Sequence, residues 1–446
     1  MIVKKFIQQL FLGFRLYLTL IGLSLIFLLS YWITALFPIA VILLWSLGVV
    51  FLLDLVLLFR NPHPLQASRV LPEKFSNSDS NEVELGLENK LNIPIDYVII
   101  DEIPMQFQKR DFELSGYLSG KGEGTLSYHL VPLERGEYFF GDLHVFIQSR
   151  LGLVRRRLSF QKGQMVKVYP SFVQMQQYDF LASNTYRVEQ GLKKIRRIGH
   201  TLEFEQIKEY NLGDDVRSIN WKATAKAADL MVNQFQDEKS QPIYSIIDMG
   251  RVMQMPFDGL SLLDYAINSC LAFSNIAIKK GDKAGVITFS HIMHRSLAAS
   301  NRKTHLLAIL ELLYGLKTDY LDTDFGLLYT WLKRKVSQRS MVLLFTNFEH
   351  HSALERQLPY LKAIARQHLL VVVMFENTLL EEVAGQDSAR ISEVFLQTVA
   401  GKFMYDKRLM AKELNRHGIQ TILTKPKELS INTINKYLEL KARGMI

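Results

Sequence analysis

Cysteine is almost missing from this chain. Cys270 stands alone, so no intramolecular disulfide can form, and a scaffold stapled for an oxidising compartment is excluded. No histidine lies near it in sequence, so a thiol nucleophile would lack its base. With Leu263, Ala266, Ile267 and Ser274 it falls on one helical stripe, which reads as a small buried position. Charge is missing too, over one long stretch: from Leu16 to Phe59 the single charged residue is Asp54. No zinc-protease motif, no Gly-x-Ser-x-Gly elbow, no long internal repeat and no low-complexity tract occurs. The segment Gly116 to Gly122, with Gly120-Lys121-Gly122, brushes against a phosphate-binding loop. It has the wrong spacing and no Ser or Thr after the lysine to hold magnesium, so a hairpin loop is expected there.

One bilayer crossing needs about 20 apolar residues. The uncharged run exceeds that and is broken near Thr34 to Pro38, so residues 1–60 read as a transmembrane helical hairpin. It is too long for a secretory signal peptide. Lys4, Lys5 and Arg15 precede it and Arg60 follows, which places both flanks and the soluble part in the cytosol, at the cytoplasmic (inner) membrane. The competing reading is one long crossing plus an interfacial segment, with the opposite topology. Asp54 lies about 9 Å along a helix from Arg60, shallow enough for its carboxylate to reach the headgroups.

The net charge is +9. Basic clusters stand at Arg155-Arg156-Arg157 and across Lys193, Lys194, Arg196 and Arg197. Attraction to anionic lipid headgroups accounts for them in a membrane-tethered protein. Nucleic acid is not an expected partner, because no stacking aromatics interleave with either cluster.

Residues 61–82 read as a linker, with Pro62, Pro64 and Pro72 and the polar run Ser76 to Asn81. From 83 to 170 short β-rich segments follow: 83–87, 97–100, 125–131, 137–140, 144–146 and 165–169. Gly, Pro and Asn punctuate them, which predicts a β-sandwich-like domain. From 242 to 446 apolar runs at 243–247, 284–289, 341–345, 369–375 and 421–423 alternate with amphipathic patterns at 260–278, 304–316, 325–335, 353–367, 394–417 and 431–443. Ser352 with Glu355 makes a capping box. That alternation predicts a doubly wound α/β domain, a parallel sheet covered by helices on both faces.

Between these domains, residues 171–241 hold a distinctive segment. Asn211 to Asp215 reads as a turn in which Gly213 is free to take positive φ. Asp214 and Asp215 are placed to cap the segment from Val216. Arg217 presents a planar fork suited to Glu203, Glu209 or Asp214, and Trp221 offers a large apolar body with one donor. Two roles are open: an internal clasp between the domains, or a docking surface for a partner.

The stretch Leu202 to Lys226, with Glu209-Tyr210, Gly213-Asp214-Asp215, Arg217 and Trp221, resembles the signature of the domain-of-unknown-function 58 family of bacterial proteins. Asn220, Lys226 and Lys208 depart from that pattern, where Asp, Arg and Arg are usual. Glu134 to Tyr138 and Ser149 to Arg157 also look like the β-rich region of that family. The resemblance implies a von Willebrand factor A-like domain at 242–446, partnership with a MoxR-type AAA+ ATPase, and a role in protein maturation or assembly. It also implies a magnesium site built on Asp-x-Ser-x-Ser with a later Thr and Asp. Here the first loop reads Asp248-Met249-Gly250-Arg251-Val252, Thr323 matches the threonine, and Asn347 stands for the second aspartate. Two hydroxyls and one charge are gone, so Asp248, Thr323 and Asn347 read as a degenerate remnant without a bound metal. Arg251 is expected to occupy the vacated place and pair with Asp248.

His291, His294, His350 and His351 lie near strand ends and read as solvated loop residues. No nucleophile, base and orienting group assemble, and no cofactor is called for. The reading is therefore a membrane-anchored, cytosol-facing interaction protein rather than an enzyme. Two alternatives stand beside it: a hydrolase built on Glu209, Asp214, Asp215 and Arg217, and a metal-dependent ligand-binding module.

Overall fold

The computed structural model describes residues 2–161, 163–176, 203–211, 214, 216–227, 229–236, 241–257, 259–385 and 390–446. The chain divides into two units, Met1–Val168 and Tyr169–Ile446. The expected Gly213 and Asp215 lie outside the described residues, as does the basic cluster at 193–197.

The first unit opens with α1 (Ile2–Gln9), the short β1 (Leu10–Leu12), α2 (Phe14–Leu29) and α3 (Leu36–Phe59). Both longer helices are apolar on every side. Ile21, Leu25, Ile42 and Trp45 are all exposed. Among the described residues α3 alone is long and apolar enough to cross a membrane, with 24 residues and a mean hydropathy of 2.7. α2 has 16 residues. Phe27 and Phe37 meet edge to face where the two helices turn.

Ten strands follow: β2 (Leu65–Val70), β3 (Lys74–Ser76), β4 (Asn81–Asn89), β5 (Ile95–Asp101), β6 (Glu113–Leu118), β7 (Glu123–Leu130), β8 (Gly136–Phe140), β9 (Leu143–Ser149), β10 (Val154–Phe160) and β11 (Gln164–Tyr169). They form three sheets, ordered β1-β10-β9-β5-β6, β2-β4-β7 and β3-β11-β8. Period-two alternation places Val83, Leu85 and Leu87 of β4 and Leu143, Val145 and Ile147 of β9 in one shared core with Phe75, Tyr138 and Phe140. Each such aliphatic contributes about 1.5–3 kcal/mol by burial.

The stretch 61–82 is not a linker. It carries β2, β3 and the start of β4. The polar run that suggested a linker is a tight turn: Asn81 Nδ2 donates to the carbonyls of Ser76 and Asp79 at 2.9 and 2.8 Å, and Ser76 N–H donates back to Asn81 Oδ1 at 2.8 Å. Arg69, in the same stretch, is fully buried and paired with Asp101. The segment after Gly116 is not a hairpin loop either. β6 pairs with β5 and β7 with β4, so the turn carries the chain from one sheet to another. Gly120 is required there, because a Cβ would meet the Asn92 carbonyl oxygen at 2.5 Å.

In the second unit a two-stranded arm comes first: β12 (Glu203–Glu209), α4 (Trp221–Ala227) and β13 (Met231–Gln236). Then follow β14 (Pro242–Asp248), β15 (Pro256–Phe257), β16 (Leu260–Ser261), α5 (Leu262–Lys279), β17 (Lys283–Phe289), β18 (Met293–Ser300), α6 (His305–Tyr314), α7 (Phe325–Lys335), β19 (Met341–Phe345), α8 (His351–Gln367), β20 (Leu369–Phe375), α9 (Thr378–Ala384), α10 (Ile391–Arg416), β21 (Gln420–Thr424) and α11 (Leu429–Ala442). The main sheet runs β18-β17-β14-β19-β20-β21. All its pairs are parallel except β17 with β18, an antiparallel edge the apolar pattern did not announce.

Helices cover both faces of this sheet. α5, α6 and α11 pack with Ile243 and Ile247 on one side. α7, α8 and α10 pack with Ile246 on the other. Cys270 is buried in the first of these cores, and burial pushes its thiol up to about 12. α5 starts with a reciprocal Ser261–Asp264 cap. The box expected from Ser352 and Glu355 does not form: His350 is the N-cap of α8, and Glu355 instead faces His351 at 3.3 Å.

Candidate functional site

In an open α/β sheet, ligands bind beyond the carboxyl ends of the strands, where the winding direction reverses. Here that point lies between β14 and β19, and Asp248 ends β14. The carboxylate is wholly buried. Its Oδ1 accepts from Thr323 Oγ1 at 2.6 Å and from Gly250 N–H at 2.8 Å, and its Oδ2 accepts from Thr346 Oγ1 at 2.7 Å. Burial raises its pKa, against the opposing pull of the Thr323, Thr346 and Gly250 hydrogen bonds. Thr346 completes this cluster and had no place in the sequence reading, which had turned to its neighbour Asn347.

These residues do not fit a divalent cation. Both carboxylate oxygens already face protein donors, and a Cβ at residue 250 would meet Thr323 Oγ1 at 2.1 Å. Among the described residues no group of three or more His, Cys, Asp or Glu side chains is placed to hold a metal. Arg251 does not pair with Asp248. Its guanidinium points to Asp322 at 3.5 Å and Glu349 at 3.7 Å, because the threonines have closed the position it was expected to fill.

Asn347 also has a different partner. Its Oδ1 accepts from Lys407 Nζ, on α10, and the same ammonium donates to the Phe348 carbonyl at 2.5 Å. Burial lowers the lysine pKa to about 8, with Glu349 pulling the other way. Lys407 lines a cavity of about 320 Å³ beyond β19 and β20, walled by Phe257, Phe375, Phe403 and Met404 with Glu349 and His350 at its polar side. Glu209 and Asp214 do not line it, and Asp215 lies outside the described residues.

The histidines are not simply solvated. His291 Nδ1 lies 3.0 Å and His294 Nε2 3.5 Å from Asp319 Oδ2, and Ser290 Oγ is 2.8 Å from His294 Nε2. Each ring meets Ser290 and Asp319 through one nitrogen, His291 through Nδ1 and His294 through Nε2, so neither imidazole bridges serine and carboxylate as a relay requires. The set pins the 317–324 loop over β14, where Arg251 N–H donates to the Leu321 carbonyl at 3.0 Å. His351 pairs with Glu413 at 2.6 Å.

The signature segment forms the two-stranded arm, β12 against β13 in antiparallel register from Glu209↔Met231 to Glu203↔Gln236. Asp214 closes the turn at its end. Its Oδ1 meets Lys208 Nζ at 2.9 Å and its Oδ2 accepts from Asn211 N–H at 2.9 Å. Asn220 caps α4 through Ala223 N–H at 3.0 Å. The side chain of Arg217 is outside the described residues. Trp221 is 70% exposed and Val216 64%, while Glu209 is exposed and Tyr210 half-buried. Trp221 and Val216 therefore face outward from the arm.

A family model described as protein of unknown function DUF58 matches residues 206–385. The uncharacterized protein YeaD of Bacillus subtilis (strain 168) is 26% identical over 192 residues, which is 41% of this chain and 47% of that protein. The match thus spans about half the length of the curated relative. Among solved structures, a conserved hypothetical protein BatB from Bacteroides thetaiotaomicron aligns over 46% of this chain and 99% of its own, with 12% identity and a TM-score of 0.32. The PapD-like domain 7 of human CEP192 aligns over 24% and 91%, with 14% identity and a TM-score of 0.19.

Proposed function

The chain belongs to the family of proteins of unknown function DUF58, and from that premise we propose that it is a membrane-anchored interaction protein that works with a MoxR-type AAA+ ATPase. The observation that carries this reading is the exposure of Trp221, 70%, on an arm that leaves Val216 facing solvent beside it. A tryptophan left in water is an anchor in search of a pocket: it carries a large apolar area and one donor, the composition of an interface hot spot. The docking role for the segment is therefore favoured over the clasp.

The rest of the molecule fits a partner that supplies the chemistry. Asp248 is held by hydrogen bonds from Thr323, Thr346 and the Gly250 N–H. The ATPase supplies nucleotide hydrolysis, and this protein positions it at the membrane for work on a client protein. α2 and α3 form a two-pass anchor, and Lys4, Lys5, Arg15 and Arg60 hold the flanks and both units on the cytosolic side.

The test is copurification of the intact protein from gently solubilised membranes. A MoxR-type ATPase is expected with the natural chain and is expected to be lost with Trp221→Ala combined with Val216→Ser, two surface changes. Retention of the ATPase by that variant would remove the arm from the interface. Its absence from both preparations would remove the partnership.

A further inference from the structure

We infer that the first unit does not hang from its anchor but rests on the bilayer, with the β9–β10 turn and the β1 edge seated among anionic phospholipid headgroups. This rests on the membrane-anchored reading above and deepens it. The argument begins with Asp54. Its carboxylate accepts from Ser149 Oγ and from the backbone N–H groups of Leu153 and Val154 at 3.0 and 2.9 Å. The β9–β10 turn is therefore held at the height of Asp54, about 9 Å below Arg60 along α3.

The start of α2 is tied to the same turn. Gly13 N–H donates to the Leu153 carbonyl at 2.8 Å. The approach is so close that a Cβ on Gly13 would meet the Gly152 carbonyl oxygen at 2.0 Å. Gly152 itself has φ +67°, which glycine adopts without strain. Asp54, Gly13 and the turn thus share one level. From that level α2 runs about 24 Å and Leu36 to Asp54 about 28 Å at 1.5 Å per residue, against a hydrocarbon core of about 30 Å. The apolar helices use their whole length to span the core, so the β9–β10 turn stands at its edge. The last turn and a half of α3 lies beside the β unit instead. Arg156 closes it there, donating to the carbonyls of Leu58 and Asn61 at 2.9 and 2.8 Å.

The surface presented at that level suits lipid. Leu151, Phe11, Leu12, Phe14 and Ile7 are exposed, from 39% for Phe11 to 66% for Phe14. Arg155 stands opposite Phe11 in the β1–β10 register, Arg15 donates to the Arg150 carbonyl, and Arg60 and Arg150 are exposed. No acidic residue occurs before Asp54 or between Leu143 and Val168, and Asp54 is buried. An apolar rim with arginines of one sign matches acyl chains under phosphate groups.

The measurement uses the single buried cysteine, which leaves the natural chain without a reactive thiol. The full chain carries one spin label at a time, introduced as Leu151→Cys, Phe11→Cys, Trp45→Cys or Met105→Cys, in phosphatidylcholine vesicles with and without phosphatidylglycerol. Oxygen partitions into the bilayer and a nickel chelate into water, so their collision ratio reads depth. Trp45, mid-helix, is expected in the hydrocarbon and Met105, 92% exposed, in water. Labels at 151 and 11 are expected at the interface, moving deeper with phosphatidylglycerol, and the shift is expected to disappear in Arg150→Gln, Arg155→Gln. A label at 151 as aqueous as Met105, with Trp45 in the hydrocarbon, overturns the seat alone. An unchanged depth with phosphatidylglycerol overturns the anionic preference. An aqueous Trp45 overturns the membrane reading itself.

Discussion

The backbone N–H of Val154 donates to the Asp54 carboxylate at 2.9 Å, across a sequence separation of 100 residues. The one acidic group in the apolar helices is thus the clamp that fixes the β unit to α3. Nothing in the local sequence announces this, because an acid near the end of an apolar helix reads as a group reaching for the headgroups. Removing it leaves the Leu153 and Val154 N–H groups without an acceptor in a buried place. Asp54→Asn is expected to cost about 2 kcal/mol and Asp54→Ala about 3 kcal/mol, from the price of unsatisfied buried donors. The check is limited trypsin digestion in detergent. The natural protein should resist cleavage at Arg155 to Arg157, and Asp54→Ala should be cut there.

In the second unit the buried Asp248 makes a second expectation about what the family pattern would not restore. Putting serine back at residue 250 looks like a repair of a metal site. The space is taken, since the new Cβ would lie 2.1 Å from Thr323 Oγ1. Gly250→Ser is expected to displace Thr323 and lower stability by about 1–3 kcal/mol through overpacking. It should bind no more Mg²⁺ than the natural chain. Calorimetric titration with Mg²⁺ and a thermal melt before and after chelation check both. A saturable heat in the natural protein, or a melting temperature lowered by chelator, would count against the closed site.

Lys407 makes stability depend on alkaline pH. In the unfolded chain a lysine has a pKa of about 10.4, and burial in the fold lowers it to about 8. The unfolded state therefore binds more protons than the native one between these values, and stability rises with pH across that window. Below about pH 8 both states carry the proton and the penalty of burying the ammonium is present in full. Above about pH 10.4 both are neutral and the penalty is gone. Lys407→Met should flatten the rise between pH 8 and pH 10. Melting temperatures of the two proteins across this range decide it, and parallel curves would show that the ammonium is not the source.

How these features could have been read from the sequence differs from one to the next. Strands β4, β9, β14, β19 and β20 were legible because period-two alternation or an unbroken apolar run marks them. β10 was not: Arg155, Arg156 and Arg157 read as a surface charge cluster, whereas the middle one is buried and caps α3. β18 was hidden because Met293 to Ser300 is an edge strand with little to bury. Asp248 was visible from its place at the end of an apolar run. Lys407 was not sought, although it falls on the stripe of Ala400, Met410 and Leu414 that α10 buries. A lysine inside an apolar stripe was the available signal. The exposure of Trp221 had none, since the same residue pattern serves a clasp or a docking surface.

That last ambiguity yields a stability expectation of its own. A tryptophan wedged between two units would cost about 3–5 kcal/mol on truncation. One that faces solvent should stay within about 0.5 kcal/mol. Trp221→Ala is expected to melt with the natural protein while the ATPase partnership is lost. A melting temperature lowered by many degrees would return the segment to the clasp role.

Arg69 and Asp101 supply the sharpest contrast with a surface ion pair. Both side chains have no solvent exposure. The guanidinium is satisfied on every side, donating also to Gln164 Oε1 at 2.9 Å and to the Gly141 carbonyl at 3.1 Å. Tyr128 donates its hydroxyl to the second carboxylate oxygen of Asp101 at 2.5 Å. Removing one partner strands the other as an uncompensated buried charge, which costs about 3–5 kcal/mol. Arg69→Met should therefore destabilise the first unit strongly. The double variant Arg69→Met, Asp101→Leu should recover much of the loss, because it removes the stranded charge as well. Chemical denaturation of the four proteins in a double-mutant cycle gives the coupling. Additive losses would mean that the pair is not coupled and that the arginine acts through packing against Phe140, whose ring centre lies 4.8 Å from its guanidinium carbon.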